Sequence, residues 1–460
     1  MNFKKNIIKN LFASFFGKFS NTLIRLLQVP LLIYFLGVED FGRWTVLYTI
    51  PSWLALANIG FGTVAANQMT IYLAEKHVEK VNKVYSSTFA LLFIILILGI
   101  ISTFTFVSFI DWESFLKSHS PGSRENEFEY AVIFMAITIF ITFFYGLIDG
   151  TFRASRKAHV SIYLASFIPW LNLLALFIVL KYSTRFDLLS LGMLLANIVF
   201  LIIYFIISKK VSPEIKFSFK YIDIKEFKNL FKKGFAFQAF PLGNALTIQG
   251  NIFIIQILLG PTYVALFSTV KTIVNIVKQG IDIINQSSWP ELSHLIGKKD
   301  FQSAMKIHRY GITASIILSI FGVLFLLFFG EILYVKWTGN NIVLPKRLFL
   351  LMLIPIPLNA LWNTSSVVHL ASNLHEKLAV RYLLYSSITF VATYFLTYFF
   401  GIEGTAISIV VLELLLIPYV VKTSIQITQD SWLGFKNDVF LIAINTPKIL
   451  ITKVKLVLKI

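Results

Sequence analysis

The chain contains no cysteine. Disulfides, thiolate metal sites and a cysteine nucleophile are thereby excluded, although the compartment is left open. Acidic residues are also scarce: 23 Asp and Glu stand against 41 Lys and Arg, and charged residues of both signs make up only 14% of the chain. An integral membrane polysaccharide polymerase or glycosyltransferase needs a sizeable extramembrane region with paired carboxylates. The longest outer loop, at 110–127, is too short and carries no such pair, and no Gly-rich phosphate loop occurs on the other side. No cofactor is implied.

What the chain does have is apolar length. Hydrophobic residues make up 57% of it, and Phe alone occurs 46 times. A dozen runs of about 20 residues, each able to cross a ~30 Å hydrocarbon layer, fit the length with short loops between them. They are too long and too evenly apolar for the alternating strands of a barrel. The fold class expected is an all-α polytopic membrane protein, with about 12 transmembrane helices in two six-helix lobes around a central cleft. Spans are expected at 11–36, 42–66, 84–109, 128–150, 160–180, 187–208, 234–259, 263–288, 308–330, 347–371, 379–400 and 402–421.

The formal charge of +18 is first a matter of topology. Lys4, Lys5 and Lys9 precede a first run that is too long for a signal peptide and has no small-residue cleavage site, so it reads as a retained span. With the N-terminus inside, 29 of the 41 Lys and Arg fall on the inner side, 8 outside and 4 within spans. One missing helix would invert everything after it, so the bias supports the span count and places both termini in the cytoplasm. An anionic-lipid site in the basic stretch Lys209 to Lys233 is the lesser reading of the same charge, and nucleic acid is not implied. After Lys422 the chain offers only the short apolar run Val439 to Ala443, and Pro447 to Ile460 is expected on the inner surface or as solvated tail.

The sequence also repeats itself. Leu36-Gly37 and Leu259-Gly260 close spans one and seven, and the same offset of 223 sets Glu75-Lys76-His77 on Lys298-Lys299-Asp300 and Lys83 on Lys306. An offset of 217 sets Ala154-Ser155 on Ala371-Ser372. Six spans return the chain to its starting side, so the halves run in the same sense. The division expected is an N-terminal lobe at 1–208, a cytoplasmic linker at 209–233, a C-terminal lobe at 234–422 and a tail at 423–460.

The polar residues inside spans are the candidates for function. Ser14, Lys18, Asn21, Arg25 and Gln28 recur at steps of four and three, so at about 100° per residue they form one stripe on span one. In span eight Lys271, Asn275, Lys278, Asp282 and Asn285 repeat those steps. Arg25 and Lys271 lie at matching depths near the midplane, and Lys18 and Lys278 each sit seven residues, ~10 Å, nearer the cytoplasm. An intramembrane cation is retained only where it faces protein or water, and one ladder per lobe suits a mobile anion. The competing reading is neutralisation within each bundle by Asp282, Glu413 or Asp149. Glu413 and Asp282 are also the candidates for ion coupling. Gln238, Asn244, Gln249, Asn251 and Gln256 make span seven wet on more than one face, which suits interhelical hydrogen bonds at least as well as substrate contact. Pro51, Pro241, Pro355 and Pro357 are expected to mark kinks, and the hydrophilic loop Asp111 to Glu129 receives no role.

Three elements carry a family resemblance: the turn Leu36-Gly37-Val38-Glu39-Asp40-Phe41-Gly42, the element Asn58-Ile59-Gly60-Phe61-Gly62 in span two, and the turn Gly401-Ile402-Glu403-Gly404 before span twelve. With the length and the two six-span halves, they make residues 5 to 425 resemble the polysaccharide-exporting or O-antigen (Wzx-type) flippases of the multidrug/oligosaccharidyl-lipid/polysaccharide exporter superfamily. The resemblance implies a transporter of the bacterial inner membrane, not an enzyme. Its cargo would be an undecaprenyl-diphosphate-linked oligosaccharide, with membrane lipid, a polysaccharide polymerase and glycosyltransferases as partners. Arg25, Lys271, Lys18 and Lys278 are then expected to contact the diphosphate, and Asn21, Gln28 and Asn275 to donate to sugar or phosphate oxygens. A multidrug cation exporter of the same fold is the alternative, disfavoured because carboxylates rather than lysines would be expected in its cleft. A lipid II flippase would need two further spans.

Overall fold

The computed structural model describes residues 3–117, 124–235, 238–437 and 439, among which there is no strand. In chain order the helices are α1 (Phe3–Leu54), α2 (Phe61–Ala74), α3 (Val78–Val107), α4 (Trp112–Phe115), α5 (Glu125–Ala154), α6 (Ala158–Ala165), α7 (Ile168–Leu180) and α8 (Phe186–Val211). They continue with α9 (Ile224–Phe235), α10 (Ala239–Leu258), α11 (Pro261–Gly297), α12 (Phe301–Trp337), α13 (Lys346–Leu353), α14 (Pro355–Ala371), α15 (Glu376–Phe400) and α16 (Ile402–Ile427). Gly37, at φ 78° and ψ 173°, divides α1 into two spans. Only glycine takes such dihedrals without a Cβ clash, which lets the chain reverse with almost no loop.

Twelve spans result. α1 supplies the first and, with α2, the second; α3, α5, α6 with α7, and α8 complete six. α10, α11, α12, α13 with α14, α15 and α16 make the other six. Among the described residues, nine helical stretches are by themselves long and apolar enough to cross a membrane, and one of them, Phe16–Ala57, contains two spans. α10 and α11 fall outside that set because Asn, Gln, Lys and Asp interrupt them.

Two boundary expectations are corrected. Span two is not one helix from 42 to 66: it passes through a 3₁₀ turn at Ala55–Ala57 and breaks at Asn58, restarting after Gly60 at φ 80°. Pro51 stays inside the helical run, and the break follows it. A backbone opened at membrane depth must be satisfied by protein, and Gln238 Nε2 donates to the Leu56 carbonyl. Spans eight and nine run well past their apolar windows, α11 ending at Gly297 and α12 starting at Phe301. Hydropathy reads the thickness of the hydrocarbon rather than the length of the helix.

The residues form two compact units. The first comprises the described residues up to Ala245 with Leu259–Ala265; the second comprises Leu246–Leu258 and those from Leu266 onward. In the first, α2 and α5 cross with almost no side chain between them: a Cβ on Gly62 would stand 2.7 Å from the Gly146 carbonyl carbon. Phe61, Val64, Ala65 and Met69 pack there against Phe140, Phe143 and Leu147. The stretch after α8 is stitched to α3: Lys216 N donates to Asn82 Oδ1 (2.8 Å), Ser218 N to Ser86 Oγ (3.1 Å) and Asp223 N to Ser87 Oγ (2.9 Å). Small hydroxyls join neighbouring spans in both units, as between Thr151 and Ser208 (2.8 Å) and between Thr397 and Thr405 (2.8 Å). Residues 440–460, and with them the surface segment expected at Pro447 to Ile460, lie outside the described residues.

The hydrophilic loop that received no role is built into an ion-pair network. Asp40, just past Gly37, takes Arg43 on one oxygen and Arg124 on the other at 2.9 Å. Arg124 also binds Glu127 (2.9 Å), which accepts from the Phe186 amide (2.8 Å). Buried Arg43 donates to the Leu116 and Lys117 carbonyls at 3.2 and 3.0 Å. Burial works to lower the Arg124 pKa, but the bonds from Glu127 and Asp40 prevail and hold the guanidinium above its ordinary value. The ends of spans one, two, three, four and six are thereby tied together.

The repeat has a backbone counterpart. Gly37 and Gly260, Lys76 and Lys299, and Lys117 and Asn340, each 223 apart, all have positive φ, as do Arg156 and Asn373, 217 apart. At Lys76 and Lys299 the following amides reach back to Tyr72 and Leu295; at Arg156 and Asn373 they reach back to Phe152 and His369. These are paired Schellman caps. Three of those four left-handed positions are Lys or Arg, whose charge complements the negative end of a helix and offsets part of the backbone cost.

The α2–α5 crossing gives a direct test. Gly62→Val is expected to destabilise the protein by about 2 kcal/mol through overpacking against backbone, read as a lowered thermal midpoint in detergent. Gly146→Ala, whose added Cβ meets only the Gly62 Cα at 3.6 Å, is expected to leave that midpoint nearly unchanged.

Candidate functional site

Span one presents three faces. Ala13, Ser20 and Ile24 are buried, and a Cβ on Gly17 would stand 2.8 Å from Ser166 Oγ. Ser20 donates to the Ser166 carbonyl (3.3 Å) and accepts from Trp170 Nε1, so this face is closed by α6 and α7. Phe16, Leu27 and Tyr34 form an exposed apolar face, as expected against acyl chains. The polar stripe flanks the packed face on its other side: Asn21 and Arg25 are exposed, and Lys18 and Gln28 half-buried. The Ser14 side chain lies outside the described residues. Arg25 acts electrostatically on Tyr48 of span two. Among the described residues no carboxylate lies within ion-pair distance of Arg25.

Span eight treats its charges differently. Lys271 is half-buried with Nζ 5.4 Å from the centroid of the Phe267 ring, and it feels the charge of Lys278 one step down the ladder. Lys278 Nζ is 3.1 Å from Glu413 Oε1. Glu413 is 4% exposed and is surrounded by donors: Asn359 Nδ2 reaches both oxygens at 3.2 and 3.1 Å, and Trp362 Nε1 donates to Oε2. Asp282 accepts from Asn363 Nδ2 at 3.0 Å. Asn275 is half-buried, and Asn285, at the foot of the ladder, is buried. A buried carboxylate met by three neighbouring donor groups makes the kind of pair that survives desolvation. Asp149, another candidate partner, is taken by Arg153 (2.6 Å) and Ser161.

Asn359, Trp362 and Asn363 on α14 were not singled out from the sequence. Their i, i+3, i+4 spacing in an apolar run is the signal that marks them, the same one that marks the two ladders.

A sequence profile described as "Polysaccharide biosynthesis protein" matches residues 7–296. The chain belongs to the polysaccharide biosynthesis protein family. That agrees with the resemblance carried by its turns, and the Asn58 to Gly62 element of this family member is where span two breaks. A comparison with curated proteins finds no match. Among solved structures, the chain is similar to an inward-facing multidrug resistance MATE family transporter of the MOP superfamily, at 14% identity and TM-score 0.75, over 89% of this chain and 94% of the other. It is also similar to a MOP superfamily transporter from Pyrococcus furiosus, at 14% identity and TM-score 0.65, over 93% and 97%. A third likeness is to the MATE multidrug transporter DinF-BH, at 16% identity and TM-score 0.69, over 92% and 96%. At such identities these likenesses establish the fold, that of a MATE-like transporter with twelve spans.

In this polysaccharide biosynthesis protein the Glu413 cluster makes a thermodynamic prediction. Lys278→Met leaves a buried carboxylate without its cation and is expected to cost roughly 3 kcal/mol. Lys278→Met with Glu413→Gln is expected to recover most of that loss, measured as the denaturation midpoint of purified protein; a double-variant loss equal to the sum of the Lys278→Met and Glu413→Gln losses would show that the pair carries no coupling.

Proposed function

We propose that the protein is a flippase that carries an undecaprenyl-diphosphate-linked oligosaccharide, a repeat unit of O-antigen, capsule or exopolysaccharide, from the inner to the outer leaflet of the bacterial inner membrane. Both termini face the cytoplasm, and a lobe at 1–208 rocks against one at 234–422 in alternating access. A polymerase and glycosyltransferases act before and after it. The observation that carries this reading is Arg25: an exposed guanidinium on a stripe with Asn21 and Gln28, beside a face already filled by α6 and α7. A charge so placed is retained for a mobile counter-ion.

Arg25 and Lys271 are the midplane contacts for the diphosphate, and Lys18 and Lys278 receive it nearer the cytoplasm. Asn21, Gln28 and Asn275 donate to sugar hydroxyls or phosphate oxygens. Glu413 and Asp282 are the candidates for ion coupling: a proton or metal cation on Glu413 would compete with Lys278 and free its ammonium for the anion.

The multidrug alternative takes its support from the names of the structural neighbours. Glu413 argues against it, because a carboxylate already held by Lys278, Asn359 and Trp362 is poorly disposed to take a cationic drug.

Arg25→Ala and Lys271→Ala, made separately, are each expected to lower surface polysaccharide about tenfold or more at normal protein levels, the loss of one or two charge-assisted bonds. Arg25→Lys is expected to restore part of the export. Undiminished polysaccharide in both alanine variants refutes the assignment.

A further inference from the structure

The first unit contains an apolar cavity of about 390 Å³ between α3, α5 and α8, walled by Phe89, Phe93, Leu96, Phe144, Ile148 and Phe205 with aliphatic neighbours. Its lining is entirely Phe, Leu and Ile, and none of the residues proposed to contact cargo belongs to it. Each wall leads toward the basic ends of the spans. On α3 the face carrying Leu96, Phe93 and Phe89 continues at steps of three and four to Ser86 and Asn82, the residues that hold the backbone of Ser218 and Lys216. The Phe217 ring of the linker lies 4.9 Å from Phe89, which in turn lies 5.2 Å from Phe144, so the linker packs against the wall at this end. On α8 the next turn after Phe205 brings Lys209, its Nζ 4.6 Å above the Phe205 ring. Lys209 and Lys216 are both exposed, and the acid between them in sequence, Glu214, accepts from Ser155 Oγ at 3.4 Å.

We propose that this cavity and its two lysines form a binding site for an anionic membrane phospholipid, one acyl chain lying between α3, α5 and α8 and the phosphate meeting Lys209 and Lys216. The division of labour follows from the solvent. Lipid tails are as apolar as the cavity wall, so entry of the chain gains packing but no hydrophobic drive, and the tail alone selects nothing. The headgroup selects: lysines at a membrane surface favour anionic over zwitterionic lipid. The linker then gains a second tether besides its bonds to Asn82, Ser86 and Ser87, and the occupant fixes the basic ends of α3 and α8 together.

The test is native mass spectrometry on the full-length chain, purified in detergent and supplied with equal amounts of phosphatidylglycerol and phosphatidylcholine of identical acyl chains. Retention of phosphatidylglycerol is expected to exceed that of phosphatidylcholine about tenfold. The double variant Lys209→Gln, Lys216→Gln, which alters exposed side chains only, is expected to erase the preference, and Lys209→Arg, Lys216→Arg to keep it. Leu96→Trp, which fills the cavity, is expected to lower retention of both lipids. Equal retention of the two lipids by the natural chain, or an undiminished preference in the glutamine variant, overturns the site. Displacement of phosphatidylglycerol by undecaprenyl phosphate at equal concentration also overturns it, and would give the cavity to the isoprenoid tail of a cargo.

Discussion

A charge inside hydrocarbon has to be met by an opposite charge or by water, and much of this structure follows from how that demand is answered. The second unit answers it with protein: Lys278 is set against Glu413, and α14 supplies Asn359 and Trp362 to saturate the carboxylate. The first unit leaves Arg25 exposed on a stripe that its own helices do not cover. Had both ladders been neutralised internally, the repeated spacing on spans one and eight would describe only stability. The difference between them leaves span one with the more exposed cation and span eight with the more tightly held one.

The proposed alternating access, one body tilting against another, would need each body to hold its own shape. The first unit is pinned at both ends of its spans. At one end Asp40, Arg43, Arg124 and Glu127 join the turns, with much of the cluster withdrawn from solvent, so its bonds are less screened than surface pairs. At the other the linker is bonded to Asn82, Ser86 and Ser87, and α9 packs Leu230 into the core. Between them the Gly62–Gly146 contact brings two backbones together where no side chain intervenes. The break at Asn58 to Gly60 is the exception, a point of altered direction stabilised by Gln238.

The span pattern was legible because bilayer thickness and helix rise set it, and the two ladders because a polar residue every three or four positions in apolar sequence has few explanations. The repeat was legible only faintly by residue matches, yet the backbone shows it at Gly37 and Gly260, Lys76 and Lys299, Arg156 and Asn373, since a left-handed cap is conserved in geometry while Lys, Arg and Asn all tolerate it. What escaped the sequence was pairing. Lys278 had three candidate carboxylates, and choosing Glu413 over Asp282 and Asp149 requires knowing which helices are neighbours. The loop near Arg124 looked hydrophilic and idle for the same reason: Asp40 and Arg124 are 84 residues apart.

The charge balance of the two ladders carries a further consequence. Lys278 is set against Glu413, and Asp282 lies on the same stripe, whereas the stripe that carries Arg25 holds no acid in its sequence. In the proposed pathway, attraction for an anion would originate in span one, and span eight would contribute as Lys278 is released from Glu413. Under that proposal anion affinity would be linked to the occupancy of a single buried carboxylate: a cation at Glu413 would weaken its hold on Lys278, and an anion that draws Lys278 away would, by reciprocity, favour that cation. Coupling between cargo and ion would then require no separate relay, only the competition of two partners for one lysine.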